Sequence, residues 1–150
     1  MELGKGGFKL LGAPLGDPGF KREILDRRVE SIRGLIAALP TLDNPHMEFS
    51  LLRTCIAFPK FAFARRSTDT TAHRDVREEL DGLVRDSLGE ILGLVLSDAQ
   101  WEQASLPVAL GWFGLRGAVR HGTAACLASL SASQPLVKTP KGVAASEREE

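Results

Sequence analysis

The sequence predicts a mainly α protein: a helical, thumb-like bundle of about four to five helices, a small N-terminal β-hairpin and a disordered C-terminal tail. Three observations carry this. Apolar residues recur at helical spacing through most of residues 17–130. Capping residues or prolines stand in front of the runs, as at Asp17-Pro18, Asn44-Pro45 and Ser97. After Ser131 the composition turns to Ser, Pro, Lys and Glu, as in a solvated tail. A chain of 150 residues is large enough to bury one real core. It divides into an N-terminal segment 1–16, a helical domain 17–131 and a tail 132–150.

Residues 1–7 are glycine-rich and read as loose. Phe8 to Leu11 alternates weakly, and Gly12-Ala-Pro-Leu-Gly16 supplies a turn and a short second strand, which together fit a hairpin. Asp17 offers an N-cap acceptor ahead of Pro18. Phe20, Ile24, Leu25, Val29, Ile32, Leu35, Ile36 and Leu39 then mark the apolar face of a first helix. Lys21, Arg22, Arg27, Arg28 and Arg33 take most of its outward face. Residues 40–44 read as a loop.

Asn44-Pro45 opens a second helix with Met47, Leu51, Leu52, Cys55 and Ile56 on one face. Pro59 must kink or end it, because proline removes a donor and clashes one turn back. Thr68 or Asp69 caps a third helix, whose apolar stripe is Val76, Leu80, Leu83, Val84, Leu88, Ile91 and Leu92. Its solvated side is expected at Arg74, Asp75, Arg77, Glu78, Glu79 and Asp81, and Gly93 terminates it. Ser97-Asp-Ala-Gln100 is a capping box for a short helix through Trp101 to about Ala104.

Leu106-Pro-Val-Ala-Leu-Gly-Trp-Phe-Gly-Leu-Arg116 is the one run rich in both glycine and large apolar residues. It reads as an irregular segment laid across the bundle, or equally as a short strand pair. Its large side chains are expected to be buried, because each gains about 1.5–3 kcal/mol on leaving water. A last helix is expected from Ala118 to Leu130.

Net charge is zero, but its distribution is uneven. From Pro18 to Arg66 nine Lys/Arg face five Asp/Glu; from Asp69 to Gln103 three Lys/Arg face nine Asp/Glu. The first half therefore suits a phosphate-bearing partner and the second does not. Cys55 and Cys126 read as reduced, buried thiols of an intracellular protein, nuclear or cytoplasmic. No signal-peptide core is seen, and no apolar run approaches the roughly 20 residues of a membrane span.

Catalytic constellations are hard to find. Gly4-Lys-Gly-Gly7 lacks phosphate-loop spacing. His46, His73 and His121 are scattered, and His121 and Cys126 fall on different faces of one helix. Glu78-Glu79 reads as a solvated charge pair, and Ser97 and Ser105 have no evident base. No metal and no cofactor is expected. Lys60-Phe-Ala-Phe-Ala-Arg-Arg66 interleaves rings and cations in a way that suits nucleic acid. Phe61 and Phe63 nevertheless read first as core residues.

Four ordered pieces of the chain resemble the segment just downstream of the palm in reverse transcriptases of retroelements, most closely the non-LTR (LINE-type) class. Lys9-Leu-Leu-Gly-Ala-Pro-Leu-Gly16 looks like the hairpin at the palm–thumb junction. Leu51-Leu-Arg53, Phe58-Pro-Lys60 and Arg65-Arg66 look like the helix that follows. Arg74-Asp-Val-Arg77, leading to Ile91-Leu-Gly93, is similar to the next motif. Leu106 to Arg116, followed by a helix ending in Ala128-Ser-Leu130, is similar to the family's glycine-rich segment, with Trp112 and Phe113 where the family has glycine and leucine. The match spans residues 9–130. The family's metal-binding aspartates lie upstream of these motifs, so the resemblance implies a part of an RNA-directed DNA polymerase that is not an enzyme by itself.

The resemblance implies a primer grip near Leu11 and Gly12 and helices that track an RNA–DNA hybrid or primer–template. Phosphate contacts are expected from Arg22, Arg28, Arg53, Lys60, Arg65 and Arg66. A structural role, tying helix ends or loop carbonyls, competes at Arg53 and at Arg116. The alternative is a helical scaffold or protein-interaction remnant with no nucleic-acid role. It would expose an apolar patch at Phe8, Leu10 and Leu11 that meets a palm domain or a second copy.

Overall fold

The computed structural model describes residues 2–4, 6–10, 13–57, 59–61 and 73–138. Its N-terminal strands are β1 (Glu2–Gly4), β2 (Gly7–Leu10) and β3 (Ala13–Gly16), and they form one antiparallel meander in the order β1-β2-β3. Glu2 pairs with Lys9 and Phe8 with Leu15. The expected hairpin is thus β2–β3. The segment read as loose contributes a third strand, because ladder bonding needs only backbone groups and β2 offers a free edge.

Five α-helices follow among the described residues: α1 (Pro18–Ala38), α2 (Pro45–Leu51), α3 (Arg74–Leu92), α4 (Asp98–Ala104) and α5 (Ala118–Lys138). α3 is the central one. α1 packs on one side of it and α5 on another, while β3 lies along α1. The core joins Leu25, Val29 and Ile32 of α1 to Val76, Leu80, Val84 and Leu88 of α3, with Leu52, Ile56, Leu96, Ala104, Leu115 and Ala118 around them.

Local signals set most helix ends. Pro18 opens α1, but the Asp17 side chain makes no cap bond. The Asp17 amide instead donates to the Gly6 carbonyl at 2.8 Å, pinning the sheet to the helix start. After α1 a short 3-10 turn (Leu39–Leu42) replaces the expected loop and buries Leu39. The Asn44 side chain accepts the Met47 amide at 3.1 Å, and Glu48 accepts the Asn44 amide at 3.2 Å. Gly93 ends α3 in the left-handed conformation, at φ 68°, where a side chain would be strained. Ser97 and Gln100 close the capping box of α4.

Four expectations are corrected. First, α2 runs on as a π-helical turn, Leu52–Ala57, ahead of Pro59. The widened i→i+5 turn changes which residues face inward. Leu52, Ile56, Ala57 and Phe61 are buried, whereas Cys55 and Met47 are exposed. Cys126 is half-buried, so neither thiol is a core group. Second, Arg77 is buried rather than solvated, because α5 covers that side of α3.

Third, the segment 106–116 is irregular, as one of its two readings has it, with a 3-10 turn at Val108–Leu110, but its expected burial fails. It folds onto itself: the Gly114 amide donates to the Leu106 carbonyl and the Leu115 amide to that of Ala104. Only Leu115 is buried, and Val108, Leu110, Trp112 and Phe113 are exposed. Fourth, α5 continues past Leu130 to Lys138, so the tail expected from residue 132 begins as helix. Residues 139–150, and the expected cap at Thr68 or Asp69, lie outside the described residues. Among the described residues no helix is long and apolar enough to cross a membrane.

Candidate nucleic-acid interface

The basic face of α1 is largely engaged with acids. Arg22 donates to Asp26 at 2.8 Å and reaches Asp75 of α3 at 2.5 Å. Those hydrogen bonds, Asp26 first and then Asp75, hold the Arg22 guanidinium above its ordinary pKa. The bond from Arg22 holds Asp75 below the usual carboxylate range. Arg33 pairs with Glu30 and with Glu79 of α3, and Arg27 with Glu23. Burial pushes the pKa of Arg28 down. The acidic excess of α3 thus answers the basic surplus of α1, and of the two expected phosphate ligands there Arg22 sits in the helix–helix seam, while Arg28 is half-buried.

Other expected residues are distributed as follows. Lys60 is exposed in the helical turn 59–61. Phe61 is buried, which removes it as a stacking platform. Leu11, Gly12, Phe63, Arg65 and Arg66 lie outside the described residues. Leu10 is exposed and Phe8 half-buried, so the patch expected near β2 is represented mainly by Leu10.

Arg53 has a different setting. It sits on the π-helical turn and lines a cavity of about 420 Å³ together with Arg116, Arg120 and His121. Ser105, Leu106, Pro107, Val108 and Gly114 complete the wall, and no described lining residue is acidic. Three segments build it: the end of α2, the folded-back loop and the first turn of α5. Gly114 makes room for the loop to fold back on Val108. A Cβ placed there stands 2.8 Å from Val108 and 3.7 Å from the Arg53 Nε. The His121 Nδ1 lies 3.2 Å from the Gly117 carbonyl, which can only accept, so this ring nitrogen is the donor.

Among the described residues Arg53 and Arg120 have no hydrogen-bond or ion-pair partner. Guanidiniums gathered without a carboxylate make a field that favours anions, and their planar forks suit phosphate oxygens. A larger cavity, about 700 Å³, lies along the C-terminal half of α3. It presents Asp86 and Glu90, and its Arg85 is bonded to the Leu96 carbonyl and Asp98, so it does not share this character. Among the described residues no group of His, Cys, Asp and Glu is placed to hold a metal ion.

Sequence reasoning singled out Arg53 and Arg116 but missed Arg120 and His121. The legible signal was spacing: Arg120 follows Arg116 by four residues across the start of α5. Comparison with family models, curated proteins and solved structures returns no match to this chain.

Proposed function

We propose that this chain is a thumb-like module of a retroelement reverse transcriptase that holds primer–template nucleic acid by its backbone phosphates. One observation carries the reading. Arg53 and Arg116, the arginine ends of the Leu51-Leu-Arg53 and Gly114-Leu-Arg116 motifs, line the same cavity beside Arg120, with no acid among its described lining residues. Phosphate contacts of this kind fix register and shape and carry no base sequence. Among the described residues Arg53, Arg120 and Lys60 supply the unpaired cations of this reading, with Arg116 shaping the same wall; Arg22 ties α1 to Asp75 of α3. The chain is not a polymerase by itself on this view, since phosphoryl transfer needs metal-binding carboxylates that the family carries in its palm. The nucleus or cytoplasm, where such hybrids are handled, is its proposed location.

The test is binding of the 150-residue protein to an RNA–DNA hybrid at about 50 and about 200 mM salt, beside Arg53→Ala/Arg120→Ala. Affinity that falls with salt, with a shallower salt slope in the variant, is expected, because each lost phosphate contact releases fewer counterions. A folded protein that leaves the hybrid free at the lower salt overturns the reading.

A second reading has its own observation. Leu127 and Leu130 are 61% and 55% exposed on α5, one turn apart. We propose that this stripe meets a palm domain or a second copy. Light scattering of the protein and of Leu127→Glu/Leu130→Glu, with and without a separately expressed palm, decides it.

A further inference from the structure

The arginine cavity adjoins an aromatic surface that the duplex-holding role leaves unused. Phe113 precedes Gly114 of the cavity wall. Its ring meets Phe49 edge-on, with centroids 5.3 Å apart and planes at 63°. Phe49 in turn stands four residues before Arg53, about one helical turn away. Phe113 is therefore held in place by its neighbour, yet it remains 39% exposed, as does Trp112 beside it. Leaving two large rings in water forgoes burial that the rest of the core obtains.

We infer that this corner binds unpaired nucleotides, the single-stranded end next to a duplex, with bases stacked on Phe113 and Trp112 and phosphates on Arg53 and Arg120. The ligand class follows from the pairing of chemistries. Flat rings alone fit many apolar partners, and cations alone fit any polyanion. A strand in which planar bases alternate with phosphates satisfies both together, and the cavity wall, with no acid among its described residues, repels those phosphates at no point. The backbone supports this arrangement. The loop closes on itself through the Gly114 amide and is tied to the end of α4 through the Leu115 amide, so the rings are presented by a fixed scaffold. The inference rests on the proposed nucleic-acid role but assigns a different ligand, an unpaired strand in place of a duplex.

The experiment measures binding of the full chain to three labelled probes at one salt concentration: a blunt RNA–DNA hybrid, the same hybrid with a short single-stranded overhang, and the overhang strand alone. The overhang is expected to tighten binding about tenfold, as stacking of one or two bases does. Trp112→Leu/Phe113→Leu should erase that increment and leave blunt-hybrid affinity unchanged, while Arg53→Ala/Arg120→Ala should weaken both hybrids. Trp112→Leu alone, checked for folding by circular dichroism, should remove part of the increment.

Equal binding of blunt and overhung hybrids, or an increment that survives loss of both rings, overturns the inference and leaves the duplex role standing. Binding of the single strand alone, dependent on the rings and with no affinity for the blunt hybrid, does the reverse. Displacement of the overhung probe by polyglutamate as readily as by unlabelled single strand also overturns it, since the surface would then be reading charge without bases.

Discussion

The carboxylate of Asp81, in the middle of α3, accepts the backbone amides of Ala118 and Val119 at the start of α5, the latter at 3.0 Å. A helix start leaves amides without partners, and they are normally met by a residue just ahead of the helix. Gly117, which has no side chain to do this, is in that position, and the acceptor comes from another helix. A Cβ on Gly117 would stand 3.2 Å from the Asp81 carboxylate. One residue thus caps α5 and fixes its direction, and with it the placement of Arg116, Arg120 and His121. Asp81→Ala is expected to destabilise the fold by about 1–2 kcal/mol, with Asp81→Asn costing less because its amide oxygen still accepts one bond. Thermal unfolding measures both. Equal losses in the two variants would mean that the carboxylate acts otherwise than as an acceptor.

Arg77 lies beneath α5 with its Nε buried and without a hydrogen-bond partner among the described residues. A Cβ on Gly122 would come within 2.8 Å of an Arg77 terminal nitrogen, so the guanidinium crosses α5 where that helix is thinnest. Its alkyl stem packs, but a buried charge with an unmet donor is costly. Arg77→Met is therefore expected to match or exceed wild-type stability in denaturant unfolding. Arg77→Ala, which also removes the stem, should fall about 2 kcal/mol or more below the methionine variant. Equal damage from both variants would show that the guanidinium has a stabilising partner.

The seam between α1 and α3 carries the pH response. Arg22 holds the Asp75 carboxyl below the usual range, so the folded state keeps it ionised at lower pH than the unfolded state does. The contribution is present above the unfolded value, near 3.9, and is lost as pH falls through the depressed folded value. Both groups are exposed, so the effect on stability is small. The sharper measurement is an NMR titration of Asp75. Its midpoint should rise toward the ordinary value in Arg22→Ala. A wild-type midpoint already at that value would mean the contact is not held in solution.

What could be read in advance was local. The Asn44 cap, the Ser97–Gln100 box and the glycine after Leu92 each act within a few residues, and all lie where their signals are. The misread residues depend on distant partners. Cys55 faces out because a widened turn precedes Pro59, a change of register that apolar spacing does not announce. Arg77 looked like one more charge on a polar face until α5 covered it. The site divides in the same way. Arg53 and Arg116 stood out within their motifs, but their convergence joins segments more than sixty residues apart through a loop that closes on its own backbone.

Gly114 ties that loop to the cavity, and its substitution tests the whole arrangement. Its φ of 69° is one that side chains adopt only at a cost of about 1–2 kcal/mol. A methyl there also meets Val108 at 2.8 Å, tighter than real contacts allow, while it stands at ordinary contact distance, 3.7 Å, from the Arg53 Nε. Gly114→Ala should therefore lower stability and weaken hybrid binding together, by displacing the cavity wall. Adding Val108→Ala removes the steric part and leaves the backbone strain, so the double variant should recover some of the stability. If the methyl itself displaces Arg53 by contact, the double variant will remain impaired for the hybrid even where its stability recovers. If binding recovers in step with stability, the loss came from the loop as a whole and Gly114 has no separate role beside Arg53.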